Sequence, residues 1–150
     1  MSETMMKTFK QFLYEEDKER LAAGALFYAQ DTGKYGLGLR SKICDSPHTY
    51  GPIGGSADTE DKDLIDTVVR EVREEIGCKI VREQLKHIYT DKKPNFQYHT
   101  FLCILPKQSM IEPKLNDENE EFTWFDKNKM PENLHPSFAK MLKDTSHNLP

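Results

Sequence analysis

A chain of 150 residues, 37% of them hydrophobic and 31% charged, has the size of one ordinary domain and enough apolar material for a packed core, which excludes global disorder. Its 21 Lys and Arg against 25 Asp and Glu leave a net charge of −4. That balance argues against a nucleic-acid binder working through a basic face, since such a face needs cations to displace phosphate counterions.

In chain order, Phe9, Phe12 and Leu13 recur at helical spacing ahead of a charged run ending at Arg20, which predicts a short amphipathic helix in an N-terminal extension over 1–20. Residues 22–29 and 35–40 are strand-like and flank Asp31-Thr32-Gly33, a turn signal, so they predict a hairpin. Ser46-Pro47-His48 reads as a loop, and Tyr50 to Gly55 as a glycine-rich turn. Leu64, Ile65, Val68, Val69, Val72 and Ile76 then repeat with helical period, and Gly77 follows as a stop signal, so 64–76 predicts a helix. Strands are expected over 80–89, 96–105 and 121–125, separated by Asp91-Lys92-Lys93-Pro94 and by the polar stretch around Asn116. Pro136 opens a short helix with Phe138, Met141 and Leu142 on one face. The mixture predicts an α/β fold with a mixed sheet, as one domain over 1–150.

Cys44, Cys78 and Cys103 contain no Cys-x-x-Cys, fit neither a disulfide framework nor a thiolate zinc site, and imply a reducing compartment. No run approaches the roughly eighteen apolar residues of a membrane span, and the opening residues lack a signal-peptide apolar region. A cytoplasmic setting is expected.

The chemistry concentrates in residues 58–75, where Asp58, Glu60, Asp61, Asp63, Asp66, Glu71, Glu74 and Glu75 face only Lys62, Arg70 and Arg73. Glu71, Glu74 and Glu75 stand at i, i+3 and i+4 on the predicted helix, where like charges cost stability unless something neutralises them. Oxygen ligands of this kind suit a hard ion such as Mg²⁺ or Mn²⁺ better than zinc or iron. A solvated acidic face, with Arg70 paired to Glu74, is the alternative.

The stretch Arg70-Glu71-Val72-Arg73-Glu74-Glu75-Ile76-Gly77-Cys78, preceded by Gly54-Gly55 and an acidic loop, resembles the Nudix box. That family's pattern is Gly, five residues, Glu, seven residues, then Arg-Glu-aliphatic-x-Glu-Glu-x-Gly-aliphatic. The second half matches at every polar position, with Cys78 at the last apolar site. In the first half, Asp61 stands where counting from Gly55 expects Glu, and Lys62 where counting back from Arg70 expects it. The irregularity reads as a one-residue insertion, with Asp61 or Glu60 as the replacement acid and Lys62 turned to solvent.

The resemblance implies a Nudix-type α/β/α sandwich, with the box region over 54–78. It implies a pyrophosphohydrolase that uses Mg²⁺ or Mn²⁺ to cleave a diphosphate link in a nucleoside diphosphate derivative, of ADP-ribose or dinucleoside polyphosphate type. A nucleoside triphosphate pyrophosphatase and an inactive nucleotide-sensing module are the alternatives. Implied metal ligands are Glu71, Glu74, Glu75, Glu118 and the Gly55 carbonyl. The implied catalytic set is Glu74, Glu75 and Glu118, with Arg70 orienting the glutamates. Glu118 aligns with an acid that precedes a Trp-bearing strand in many family members, here the strand of Trp124, and Glu120 and Glu121 are its alternatives. Arg40, Gly54, Gly55 and Tyr98 are candidates for substrate binding, with Tyr89 and Phe96 as further aromatic faces. Pro94 holds a position similar to that of a proline in ADP-ribose-type members. The implied partner is a nucleotide-derived small molecule, with no membrane and no nucleic acid, and a homodimer is left open.

Overall fold

In the computed structural model, which describes residues 20–150, the strand β1 (Arg20–Ala29) is the spine of a seven-stranded mixed sheet. The remaining strands are β2 (Lys34–Arg40), β3 (Tyr50–Gly51), β4 (Ile53–Ser56), β5 (Leu85–Lys93), β6 (Phe96–Leu105) and β7 (Asn119–Asp126). β1 runs parallel to β6 along its whole length, from Arg20 opposite Phe96 to Ala29 opposite Leu105. On its other edge it changes partner: Ala22 to Ala25 lie antiparallel to β4, and Phe27 to Ala29 antiparallel to β2. β2 also pairs with β3 and β7, and β5 closes the far edge against β6.

Alternation along these strands builds two cores, because successive side chains point to opposite faces. Ala23, Ala25, Phe27, Phe101, Cys103 and Leu105 meet Val68, Val72 and Ile76 of the first helix, α1 (Leu64–Ile76). Leu26 and Leu102, on the opposite face, meet Phe138 and Met141 of the second helix, α2 (Pro136–Thr145). The result is an α/β/α sandwich. Burying each side chain of the size of Val72 or Leu26 contributes roughly 1.5–3 kcal/mol.

α1 covers the predicted residues. Its N-cap Asp63 accepts from the Asp66 N–H at 2.9 Å, and Gly77, at φ 66°, closes it in the left-handed conformation. The expected hairpin around Asp31 to Gly33 forms, and β7 contains the strand expected over 121–125. Pro136 opens α2 with Phe138 and Met141 buried and Leu142 half-buried.

Two expectations are corrected. Tyr50 to Gly55 is not a turn but the short strands β3 and β4 on either side of Pro52, which has no N–H to continue a ladder. The strand expected over 80–89 starts at Leu85, after a 3₁₀ turn over Arg82–Gln84, and runs to Lys93. Asp91, Lys92 and Lys93 are therefore strand, and the chain reverses only at Pro94-Asn95, with Asn95 at φ 62°. Of the extension expected over 1–20, Arg20 already belongs to β1, and the rest, with its helix, lies outside the described residues. No described helix is long and apolar enough to cross a membrane.

Candidate functional site

At about 100° per residue, Glu75 falls inside the apolar stripe of α1, Glu71 at its edge and Glu74 well outside it. The structure follows that order. Glu75 and Glu71 are buried, whereas the Glu74 side chain is 54% exposed. Arg70, one step further round, gathers the group: its Nη1 donates to Glu71 Oε1 at 3.0 Å and to Glu74 Oε2 at 3.3 Å. Its Nε and Nη2 grip Asp61 at 3.1 and 2.9 Å, the fork geometry that strengthens an Arg–carboxylate pair.

Asp61 is itself buried and accepts from Thr67 Oγ1 at 2.8 Å and the Asp58 N–H at 2.9 Å. Burial alone would raise its carboxyl, but the Arg70 guanidinium and these donors hold it below the usual range. Of the three residues at the irregular half of the motif, Asp61 is thus the one whose side chain is tied to the helix. Lys62 and Glu60 are exposed, and the Lys62 N–H donates to Asp66 Oδ2 at 3.0 Å. Gly55 explains itself by the room it leaves: a Cβ there would lie 2.7 Å from the Glu71 carboxylate.

The second half of the site comes from the segment entering β7. α1 ends with unpaired carbonyls, and this segment crosses them, with the Lys114 N–H on Ile76 O at 2.7 Å and the Asn116 N–H on Glu75 O at 3.0 Å. Ser41, just past β2, holds the other side, its N–H on Glu118 O at 2.9 Å. A bulge follows: Leu39 pairs with Glu121 but Arg40 with Asn119, so Glu120 is the extra residue. Three neighbouring acids consequently go three ways. Glu118 lines a cavity, Glu120 reaches His48 at 3.2 Å, and Glu121 accepts from the hydroxyls of Tyr50 and Thr123.

Asn119, buried, donates its Nδ2 to Glu75 Oε1 at 2.8 Å. The other oxygen, Glu75 Oε2, is buried without any hydrogen-bond partner. Burial, reinforced by the charges of Glu118 and Glu71 and opposed by Asn119, pushes the Glu75 carboxyl up to about 9. Burial raises Glu71 as well, against the pull of Arg70.

The cavity has a volume of about 660 Å³. Glu71, Glu74 and Glu118 line it together with Gly54 and Gly55, and Glu75 is buried beside Glu71. Arg40 lines it too, clasped by the carboxylate and the backbone carbonyl of Asp45 in the loop after β2. Tyr98, Tyr89 and Phe96 supply aromatic walls. Burial raises the Tyr98 phenol, which keeps it a hydrogen-bond donor, and the Tyr89 hydroxyl donates to Asp144 Oδ2 at 2.6 Å. Pro94 does not line the cavity.

Three cavity or site residues carried no sequence signal. Asn119 sits in a polar run, Asp91 in a charged triplet between two expected strands, and His135 forms no metal-spaced pair with another histidine. Asp91 is a buried lining residue held by Lys140 Nζ at 3.0 Å. His135 lines the cavity 3.9 Å from Asp45 Oδ2, and its Nδ1 accepts from the Ser137 N–H to cap α2.

A hard divalent ion fits the residues present. Without an ion Glu75 keeps its proton and can share it with the Glu71 carboxyl; once it ionises, its buried Oε2 has no donor, and a buried carboxylate oxygen in that state calls for a cation. No three Asp, Glu, His or Cys side chains among the described residues form a ready cage. Ions that keep water and take substrate oxygens need none.

A family model described as the NUDIX domain matches residues 18–145. Among solved structures, a MutT NUDIX hydrolase from Burkholderia pseudomallei is similar with a TM-score of 0.69 at 20% identity, over 84% of this chain and 97% of that one. An Ap4A hydrolase from C. elegans gives 0.60 at 21% identity, over 85% and 96%. A bifunctional NMN adenylyltransferase/ADP ribose pyrophosphatase from Francisella tularensis, complexed with AMP and a manganese ion, gives 0.64 at 15% identity, over 88% of this chain and 42% of that one. At these identities the likeness is one of fold. No curated protein matches the chain.

Proposed function

The chain belongs to the NUDIX domain family, and from that premise we propose that it is a pyrophosphohydrolase that cleaves the diphosphate link of a nucleoside diphosphate joined to a second group, with Mg²⁺ or Mn²⁺. The observation that carries this reading is the buried, partnerless Glu75 Oε2 beside Glu71. Glu71 and Glu75 would hold the ion, with Glu74, Glu118 and the Gly55 carbonyl completing its shell through oxygen atoms or water. Bound there, the ion supplies neutralisation of diphosphate charge and acidification of the attacking water.

The chain's own residues do the rest. Arg70 fixes Glu71 and Glu74 from behind, and Asp61 fixes Arg70. The Glu118 carboxylate takes the proton of the attacking water. The Arg40 fork pairs with phosphate oxygens when it leaves Asp45. Water adds at phosphorus and the bridging P–O bond breaks, giving a nucleoside monophosphate and the phosphorylated second group.

A substrate of ADP-ribose or dinucleoside polyphosphate type is supported by a cavity of about 660 Å³, within the roughly 300–1,000 Å³ of small-molecule sites. The names of two similar structures, an ADP ribose pyrophosphatase and an Ap4A hydrolase, point the same way. Tyr98, Tyr89 and Phe96 offer aromatic faces to a base, and Arg20 and Lys93 offer cations to a second phosphate or ribose. One domain acting in the cytoplasm completes the reading, in keeping with three free cysteines.

The test is product release from a panel of ADP-ribose, dinucleoside polyphosphates and nucleoside triphosphates with Mg²⁺ or Mn²⁺. Nucleoside monophosphate from the first two classes is the expected outcome. Pyrophosphate release from triphosphates would move the assignment to a triphosphate pyrophosphatase, and no turnover on any member would favour a nucleotide sensor.

A further inference from the structure

Glu75 has two carboxylate oxygens in unlike surroundings. Oε1 accepts from Asn119 Nδ2 at 2.8 Å, and Oε2 is buried with no partner. We propose that Asn119 is a positioning residue, which ties down Oε1 so that Oε2 alone is turned to the divalent ion. The inference rests on the reading of Glu75 as a metal ligand.

Several independent features of the fold converge on this one contact. Asn119 is 7% exposed, so its amide cannot fall back on water. It stands next to Glu118 at the entry to β7, where the bulge at Leu39/Arg40 sets which side chain turns inward. Gly38 of β2 leaves the space the amide occupies: a Cβ at that position would collide with Asn119 Oδ1 and with Ile53 Cδ1. The carbonyls of Glu75 and Ile76, paired with Asn116 and Lys114, fix the distance between α1 and the segment that delivers Asn119.

The residue type follows from the task. An ionised carboxylate can only accept, so its neighbour must donate. Lys or Arg would donate, but would place a positive charge beside the ion. Asp would add a like charge beside Glu71 and Glu75 and donate nothing when ionised. A neutral amide donates without altering the charge of the site. It also leaves Glu75 one choice of coordinating oxygen, where a carboxylate without such a tether could rotate between two. Groups that orient a ligand from behind are commonly worth about 10–100-fold in metal affinity or activity.

The experiment is a calorimetric titration of Mn²⁺ into wild type, Asn119→Ala, Asn119→Leu and Glu75→Gln, with turnover followed against Mn²⁺ concentration. The leucine variant keeps the branched shape of the side chain and removes its amide. Both Asn119 variants are expected to bind Mn²⁺ about 10–100-fold more weakly, with turnover recovering toward wild type as the ion concentration rises. Mn²⁺ affinity within twofold of wild type in a folded Asn119 variant, alongside its loss in Glu75→Gln, would overturn the positioning role and leave the proposed function standing. Unchanged affinity in Glu75→Gln as well would overturn the metal assignment itself. Failure of both Asn119 variants to show native near-UV circular dichroism, with or without Mn²⁺, would make the amide structural and defeat the proposal.

Discussion

Asp91, which lines the cavity, and Glu75, buried against the lining residue Glu71, are both buried carboxyls, and the protein treats them in opposite ways. Asp91 is finished: Lys140 Nζ lies 3.0 Å from one oxygen and Lys93 Nζ 4.0 Å from the other. Burial would raise its carboxyl, yet Lys140 and its neighbours hold it below the usual range. Glu75 is unfinished, with one neutral donor, one orphan oxygen and a carboxyl pushed up to about 9. A buried charge that the fold has neutralised ties elements together, here α2 to β5. One that the fold has left open is a place where a ligand's charge enters.

The largest effect should come from exchanging each acid for its amide. Glu75→Gln removes a charge that only the ion answers, and should lower kcat by about 10³, on the order of 4 kcal/mol of transition-state stabilisation. Asp91→Asn removes a charge answered by lysines that are each 55% exposed. It should lower stability by about 1 kcal/mol, since such half-solvated pairs are screened, and change kcat only a few-fold. Steady-state turnover and urea unfolding on the two variants measure this. Equal losses of kcat would erase the distinction.

Acid and base titration sharpens the same contrast, because the two groups have opposite signs. Without ion, the raised carboxyl of Glu75 holds a proton in the folded chain that the unfolded chain has lost between the ordinary value of 4.5 and about 9. Stability should therefore fall as pH rises through that window, by at most about 1.4 kcal/mol per pH unit for one proton. Mn²⁺ should remove the decline, and so should Glu75→Gln. For Asp91 the folded carboxyl lies below 3.8, so its contribution is present above that value and disappears as pH falls through the folded pKa. Asp91→Asn should flatten only that acid limb. Urea midpoints from pH 3 to 9 test both slopes, and a Glu75→Gln variant with the wild-type slope would refute the first.

The unfinished carboxyl was legible in the sequence and the finished one was not. Helical period places Glu75 within the stripe of Val68, Val72 and Ile76, so its burial follows from local spacing alone. Asp91 depends on Lys140, 49 residues away, and Asn119 on Glu75, 44 residues away. Such pairs form only when the sheet and α2 assemble. The same limit applies to Glu118, Glu120 and Glu121, which local sequence leaves equivalent and the bulge opposite Leu39 and Arg40 separates. β5 was misplaced because Asp91, Lys92 and Lys93 resemble a solvated loop. The charge that gives that appearance is what Lys140 neutralises.

The smallest expected effect lies in the irregular half of the box, where Asp61 adds a third buried carboxyl to the comparison. Arg70 finishes it, as Lys140 finishes Asp91, but Arg70 also holds Glu71 and Glu74. Asp61→Ala should therefore affect both sides of the contrast, lowering stability by about 1–3 kcal/mol for the donors it leaves behind and weakening activation by Mn²⁺. The neighbouring Lys62 is exposed and touches the cluster only through its backbone N–H, on Asp66. Lys62→Ala keeps that N–H, so its unfolding midpoint should stay within about 0.5 kcal/mol of wild type and its Mn²⁺ dependence unchanged. Tighter Mn²⁺ binding in Lys62→Ala would mean that its ammonium reaches the carboxylates in solution and competes with the ion. In that event the open charge of Glu75 would have an internal answer, and Glu75 would belong with Asp91.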